Sequence, residues 1–361
     1  MPVYTLHTFR PLLKKLVETP EYFTAVDLKI ALNHLFSPEC LAPEHIGAFL
    51  TALHIHRVER RPESLAIAAS VLRERALKAI VVNGENDFVV DIVGTGGDGY
   101  NLFNVSTTAG VVAAGAGARV IKHGSKASTS SSGSADLLQA LGCAFEPPPE
   151  LSATPPEATP IPPIPFSFIL APHYHPSLAA LASFRKNLPF RTMFNVLGPL
   201  INPAFPQGMV LGVAEPELGR RFAESLKEGG VMRGLVVCGY ERLDEISCAG
   251  PTYAWELIDG QITEQTLTPD LFGLDSHPLV SVVGGNPVQN AETFRRVLNS
   301  GKNIPKDVKP VLDFILINAS ALLVVAGLAS DYKEGVKLAL ESVVEGKAWQ
   351  AFETFRKHSV S

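Results

Sequence analysis

The chain has 361 residues, a formal net charge of −5, and 46% apolar against 19% charged residues. Two domains are the default for that length, and the acidic balance excludes the basic footprint of a nucleic-acid or anionic-membrane binder. Cys40, Cys143, Cys238 and Cys248 have neither CxxC nor zinc-ligand spacing, which reads as reduced, mostly buried thiols of a cytoplasmic protein. The longest apolar run, Ala321–Ala329, is too short to span a bilayer, and the N-terminus lacks a signal-peptide core.

Residues 1–80 read as helical. Phe9–Val17, Ala25–Phe36, Pro43–Leu53 and Pro62–Leu77 each carry apolar residues at three- and four-residue spacing, with Pro43 and Pro62 at first-turn positions. The third of these is apolar on much of its surface and suits either a core or a dimer face. Arg57–Arg61, with three arginines and one glutamate, reads as a solvated loop. From Lys78 onward strand and helix patterns alternate, which implies a largely parallel sheet.

The densest signal is Asp91–Gly142. Val89–Val93 reads as a strand that stops at Gly94-Thr95-Gly96-Gly97-Asp98, where glycines allow a tight turn and close approach of a ligand to the backbone. Asn104-Val105-Ser106-Thr107 precedes a small-residue helix, Ala109–Ala116, with Ser106 or Thr107 as its cap. A second strand, Arg119–Ile121, runs into Lys122-His123-Gly124 and the serine-rich loop Ser125–Ser132. Ser134–Leu141 then reads as a helix closed by Gly142. Two strand-to-helix junctions thus aim amides, hydroxyls and one lysine at a common point, a way to grip phosphate without a basic surface. No Gly-Lys-Ser/Thr follows at Walker A spacing, and GTGGDG does not run straight into a helix as a dinucleotide fingerprint does.

Pro147–Pro165 holds nine prolines in nineteen residues, so it reads as an extended surface connection. Phe166–Leu170 restores a strand, and Pro176–Asn187 reads as a helix carrying Arg185. Met209–Val213 and Gly234–Cys238 are buried-strand candidates. The second leads to Asp244-Glu245, adjacent carboxylates that are either solvated or, beside a diphosphate, hard oxygen ligands for Mg2+. Asn290 and Asp313 read as local structural residues, and Asp331–Ser361 as C-terminal helices packed on the sheet.

GTGGD, NVSTTAG, KHG and SGSADLLQALG, followed by APHYHP, RTMFNVLGPLINP, LDEIS, GGNPVQNAE and DFILINASALL, resemble anthranilate phosphoribosyltransferases from about residue 45 to the end. The KASTS run resembles fungal-type members. The resemblance implies an α/β fold: a small helical domain (1–84, with 174–200 returning to it) and a larger domain (85–173 and 201–361) built on a mostly parallel central sheet. It implies transfer of phosphoribosyl from phosphoribosyl pyrophosphate (PRPP) to the anthranilate amine in tryptophan biosynthesis, with Mg2+ as cofactor. A homodimer through the helical domain is also implied, and no nucleic-acid or membrane partner.

By the same resemblance, Gly94, Gly96, Gly97, Asp98, Asn104, Ser106, Thr107, Lys122, Ser130 and Ser134 hold PRPP. Gly94, His123, Ser125, Tyr174, His175, Arg185 and Pro199 line the path of anthranilate, and Ser106, Asp244 and Glu245 take the metal. Many family members have asparagine where Ser125 stands, and the helix-forming segment of the family is replaced here by the proline-rich stretch. A pyrimidine-nucleoside phosphorylase is the nearest enzymatic rival, but it has no use for paired metal carboxylates. A nucleic-acid-binding relative would need a basic stripe.

Overall fold

The computed structural model describes residues 4–37, 41–82, 84, 87–127, 130–146 and 159–359. The N-terminal third is helical because its sequence starts and stops helices cleanly. Helices α1 (Leu6–Glu18) and α2 (Ala25–Leu35) open on capping boxes, Thr5 with Thr8 and Thr24 with Asp27. Helices α3 (Pro43–Ile55) and α4 (Pro62–Glu74) open on proline, whose missing N–H costs nothing there. Phe9, Leu28, Phe49, Leu53 and Leu72 from these four helices form one core, so α3 is a core helix.

Strand β1 (Ala79–Val81) pairs in parallel with β4 (Thr159–Ile161) as a separate two-stranded sheet, so the first α/β strand stands outside the main sheet. The main sheet contains β2 (Val89–Gly94), β3 (Arg119–Gly124), β5 (Phe166–Leu170), β6 (Gly208–Gly212), β7 (Arg233–Gly239), β8 (Thr252–Ile258) and β9 (Gln261–Leu267). Its seven strands run in the order β5-β3-β2-β6-β7-β8-β9. The first five are mutually parallel, and β8 and β9 extend one edge as an antiparallel hairpin. The hairpin turns at Asp259-Gly260, both with positive φ, the pair such a turn favours.

On one face lie α5 (Val105–Gly115), α12 (Lys309–Ala326), α13 (Tyr332–Val344) and α14 (Lys347–Ser359), which pack with α6 (Ser134–Ala140) and α11 (Pro287–Leu298) into the largest core. Helix α12 is apolar enough, with its leading turn, to cross a membrane, but 83% of its apolar window is buried inside the protein. On the other face, α10 (Pro216–Glu228), Met209, Leu211, Val236 and Trp255 share a core with the four N-terminal helices. The segment 181–201 adds Leu181, Met193, Phe194 and Leu197 to that core.

Pro176–Asn187, expected as one helix, is two short helices, α8 (Pro176–Ala180) and α9 (Ala182–Lys186), following a single turn α7 (Ala171–Tyr174). Most of Pro147–Pro165 lies outside the described residues. Cys143, Cys238 and Cys248 are free and buried, and burial pushes each thiol up to about 12; Cys40 lies outside the described residues.

Candidate active site

Because β2, β3, β5, β6 and β7 are parallel, the segments that follow them emerge at one edge. Chain order steps outward from β2 through β3 to β5, then returns to the other side of β2 for β6 and β7. Such a reversal opens a crevice beyond the strand ends. A cleft of about 700 Å3 lies there, lined by the β2 turn, the start of α5, the end of β3, the serine loop, α7–α9, the segment 191–199 and Leu243–Glu245.

The polar end is built on the glycine turn. Gly96 and Gly97 have φ of +66° and +84°, as the sequence requires. The Gly96 N–H donates to Asp244 Oδ2 at 2.6 Å, and Asp98 Oδ1 accepts from the Tyr100 N–H at 3.1 Å. Asp244 comes close because neither neighbouring strand ends in a side chain: a Cβ on Gly94 would lie 2.1 Å from Asp244 Oδ2, and one on Gly212 1.6 Å from its carbonyl oxygen.

Helix α5 starts four residues earlier than expected, with Asn104 as its N-cap residue and no side-chain cap bond, so Ser106 and Thr107 are not caps but first-turn residues. Ser106 lines the cleft together with Glu245. Thr107 is fully buried behind it and donates to Ser134 Oγ at 2.8 Å. Asn104 ties the serine loop down, donating to Ser132 O and accepting from Ser132 Oγ and Asn290 Nδ2. Asn290 is structural as expected, and Asp313 is held by His277 and Lys309 away from the cleft. Asp136 closes the loop base, accepting from the Ala127 and Gly133 amides.

Electrostatically this end crowds Asp98, Asp244 and Glu245 together beside Lys122, Lys126 and Arg191. Burial, then Asp98, raises the Asp244 carboxyl to about 7. Burial and the Asp244 charge raise Glu245 well above the ordinary range. Lys122 is buried, its ammonium depressed by desolvation despite Asp91, Glu245 and Asp244, and it donates to Ile92 O. Asp91, raised by burial to about 6, is held by Asn202 and the His123 amide. Asp244 and Glu245 are hard oxygen donors that a divalent ion such as Mg2+ would suit. Among the described residues no group of three or more His, Cys, Asp or Glu side chains could hold an ion by itself, so water or ligand oxygens would complete the coordination of a metal there.

Among the described residues the other end is apolar, formed by Ala171, Pro172, Leu178, Ala182, Phe194 and Pro199. His123 and His175 stand beside it, their Nε2 atoms 3.2 Å apart, while His123 Nδ1 is 3.1 Å from Gly198 O. The carbonyl requires a proton on His123 Nδ1, so His123 Nε2 accepts from His175 Nε2–H. Burial depresses His123 to about 3 and His175 to about 4, so both are neutral at pH 7.

Of the residues singled out from sequence, Gly94, Gly96, Gly97, Asp98, Asn104, Ser106, Lys122, His123, Ser125, Ser130, Ser134, His175, Pro199, Asp244 and Glu245 all line this one cleft. Tyr174 does not. It turns away from its neighbour His175 and packs with Val89, Ile121 and Ile169 in a separate core. Arg185 sits on α9, with its side chain outside the described part of the structure. Arg191, which opens the RTMFNVLGPLINP stretch and is not among those residues, also lines the cleft; it donates to Gly96 O at 2.8 Å and Thr95 O at 3.1 Å.

Residues 86–349 match the model of the glycosyl transferase family, a/b domain. The anthranilate phosphoribosyltransferase of Schizosaccharomyces pombe is 44% identical over 315 residues, 87% of each chain, and that of Deinococcus radiodurans 39% identical over 310, 86% of this chain and 87% of the other. Among solved structures, the Saccharomyces cerevisiae enzyme in complex with PRPP and Mg superposes with a TM-score of 0.86 at 32% identity, covering 99% of both chains. The Thermus thermophilus enzyme gives 0.84 at 36% identity, covering 97% of this chain and 99% of that one. With motif order, fold and cleft in agreement, the chain belongs to the anthranilate phosphoribosyltransferase family.

Proposed function

We propose that the protein transfers a phosphoribosyl group from PRPP to the amine of anthranilate, releasing pyrophosphate and forming N-(5-phosphoribosyl)anthranilate. The two-ended cleft carries this reading: a glycine, hydroxyl and carboxylate end fits a sugar diphosphate, and an apolar end beside α9 fits a flat aromatic acid. The amine nitrogen forms a bond to ribose C1 as the C1–O bond breaks, and that electron pair leaves on pyrophosphate. The amine proton departs to solvent afterwards. An aromatic amine is uncharged at pH 7, so its lone pair is available without a strong base, and the neutral His123–His175 pair fits that requirement.

The chain's own contribution is orientation and charge stabilisation. Gly94, Gly96, Gly97 and Asp98 frame the diphosphate, Asn104, Ser106, Ser130 and Ser134 give it hydroxyl and amide partners, and Lys122 adds positive charge. Thr107 supports Ser134 from behind. Ser106, Asp244 and Glu245 would hold Mg2+, which, when bound, neutralises charge developing on the leaving diphosphate. Gly94, His123, Ser125, His175, Arg185 and Pro199 take the anthranilate side; the shorter Ser125 leaves room for a water where an asparagine amide would reach.

Purified protein given PRPP, Mg2+ and anthranilate is expected to consume anthranilate fluorescence and release pyrophosphate. No change at any Mg2+ concentration would remove the reading. Arg185→Ala is expected to raise the KM for anthranilate by about tenfold to a hundredfold, the worth of a charge-assisted carboxylate contact, with PRPP affinity within about threefold of the parent. Equal losses in both would reject Arg185 as the carboxylate partner. The domain division at 1–84 with 174–200, a homodimer through the helical domain and a cytoplasmic location complete the proposal. Support for the dimer comes from exposed Val17, Tyr22, Val26 and Ile30 on and between α1 and α2.

A further inference from the structure

Arg57–Arg61 is not the solvated loop its charges suggest. Residues Val58–Arg60 form a single 3-10 turn with Val58 and Glu59 buried, Glu59 being only 4% exposed. Arg60 pairs with Glu215, and Arg221 donates to Arg60 O, so the turn is fixed against α10. A buried carboxylate that does not line the cleft needs an explanation, since each unpaired lone pair there is costly. Its two oxygens are both used: Oε1 lies 2.8 Å from His54 Nδ1, and Oε2 accepts the Met193 N–H at 2.8 Å.

Met193 lies in the strap 190–195. The strap's apolar side chains enter the helical layer: Phe190 stacks on His54 with ring centres 4.5 Å apart, and Phe194 meets Phe36 edge-on. The strap is closed on itself by Asn195 Oδ1, which accepts from the Thr192 amide and hydroxyl. Arg191 points the opposite way, and its guanidinium binds Thr95 O, Gly96 O and Asn195 O. It lies so close over the turn that a Cβ on Gly97 would fall 1.3 Å from Nη1.

In a trans peptide the C=O and the following N–H point in opposite directions. Holding the Thr95 and Gly96 carbonyls on Arg191 therefore turns the Gly96 and Gly97 N–H groups away from it. The Gly96 N–H is found on Asp244. We propose that Glu59, which has no part in the cleft, is a positioning residue for the glycine turn, acting through the Met193 amide, the strap and the guanidinium of Arg191. The proposal rests on the reading of that turn as the PRPP site. It makes the helical layer a determinant of diphosphate affinity rather than a passive support.

The test is calorimetric binding of PRPP with Mg2+ to the full-length protein, with KM for anthranilate and melting temperature measured alongside. Glu59→Ala is expected to weaken PRPP binding by about tenfold to a hundredfold, because the Met193 amide loses a charged buried acceptor, with the anthranilate KM within about threefold of the parent. Glu59→Gln, which can still accept from Met193 and donate to His54, is expected to recover most of the loss. In combination with Arg191→Ala, Glu59→Ala is expected to add nothing further, since both act on one carbonyl pair.

Unchanged PRPP affinity beside a lowered melting temperature overturns the proposal, and so do losses that multiply in the double variant. If Glu59→Ala does not fold, Glu59→Asp carries the same comparison, because the shorter chain cannot reach both partners. A parent protein that binds no PRPP at all sinks the underlying site reading instead, and that result is seen before any variant is made.

Discussion

Asp244→Asn is expected to raise the melting temperature of the ligand-free protein at pH 8 by roughly 2–6 °C while lowering Mg2+-dependent turnover about a hundredfold or more. The two effects share one cause. Burial and the neighbouring Asp98 lift the Asp244 carboxyl from 3.8 to about 7, so the folded state holds that proton more tightly than the unfolded chain does. Below the unfolded value both states are protonated and Asp244 costs nothing. As pH rises toward 7 the unfolded chain ionises first, and folding loses stability until the native carboxyl has also ionised; above that the penalty is constant.

Asparagine resembles the protonated acid: it still accepts the Gly96 amide and can donate toward Asp98, so the penalty disappears and the metal ligand goes with it. The advantage over the parent should be full at pH 8 and shrink steadily toward pH 5. A melting temperature that falls at pH 8, or a difference independent of pH, would contradict this account. Scanning calorimetry at several pH values, with activity titrated against Mg2+, reads both halves.

Gly212→Ala is expected to be nearly as damaging, although Gly212 does not line the cleft. Its new methyl would meet the Asp244 carbonyl oxygen at 1.6 Å and carbonyl carbon at 2.3 Å. Both are backbone atoms, so no rotamer change relieves the clash, and Asp244 must move by more than an ångström. Displacement of that size at a site that works by positioning costs about a hundredfold in rate, and overpacking costs about 1–3 kcal/mol of stability. Steady-state rates and a denaturant titration check the two parts. The variant should still bind anthranilate with near-parental affinity, since the apolar end of the cleft is untouched. A rate close to the parent's would show that the β6 end yields more easily than its packing implies.

Asp91–Gly142 was legible because its chemistry is local: glycine turns, helix-start hydroxyls and strand ends lie within a few residues of one another. What went unread depends on contacts across the fold. Nothing near Gly212 in sequence announces that a loop 32 positions later will lie against it. Glu59 carries the look of a surface charge because its partner amide belongs to Met193, and Tyr174 and His175 are neighbours whose opposite directions are set by the cores beneath them. The β8–β9 hairpin is a different case, since Asp259-Gly260 between two runs rich in β-branched and aromatic residues is a readable signal that alternation of strand and helix obscured.

The four N-terminal helices rest on Met209, Leu211, Val236 and Trp255, side chains of the same sheet in which the ends of β2 and β3 and the loop after β7 line the cleft. Trimming the chain to the segment with the phosphate motifs would strip an oily sheet face bare, and any redesign toward a compact transferase would first have to furnish a substitute cover.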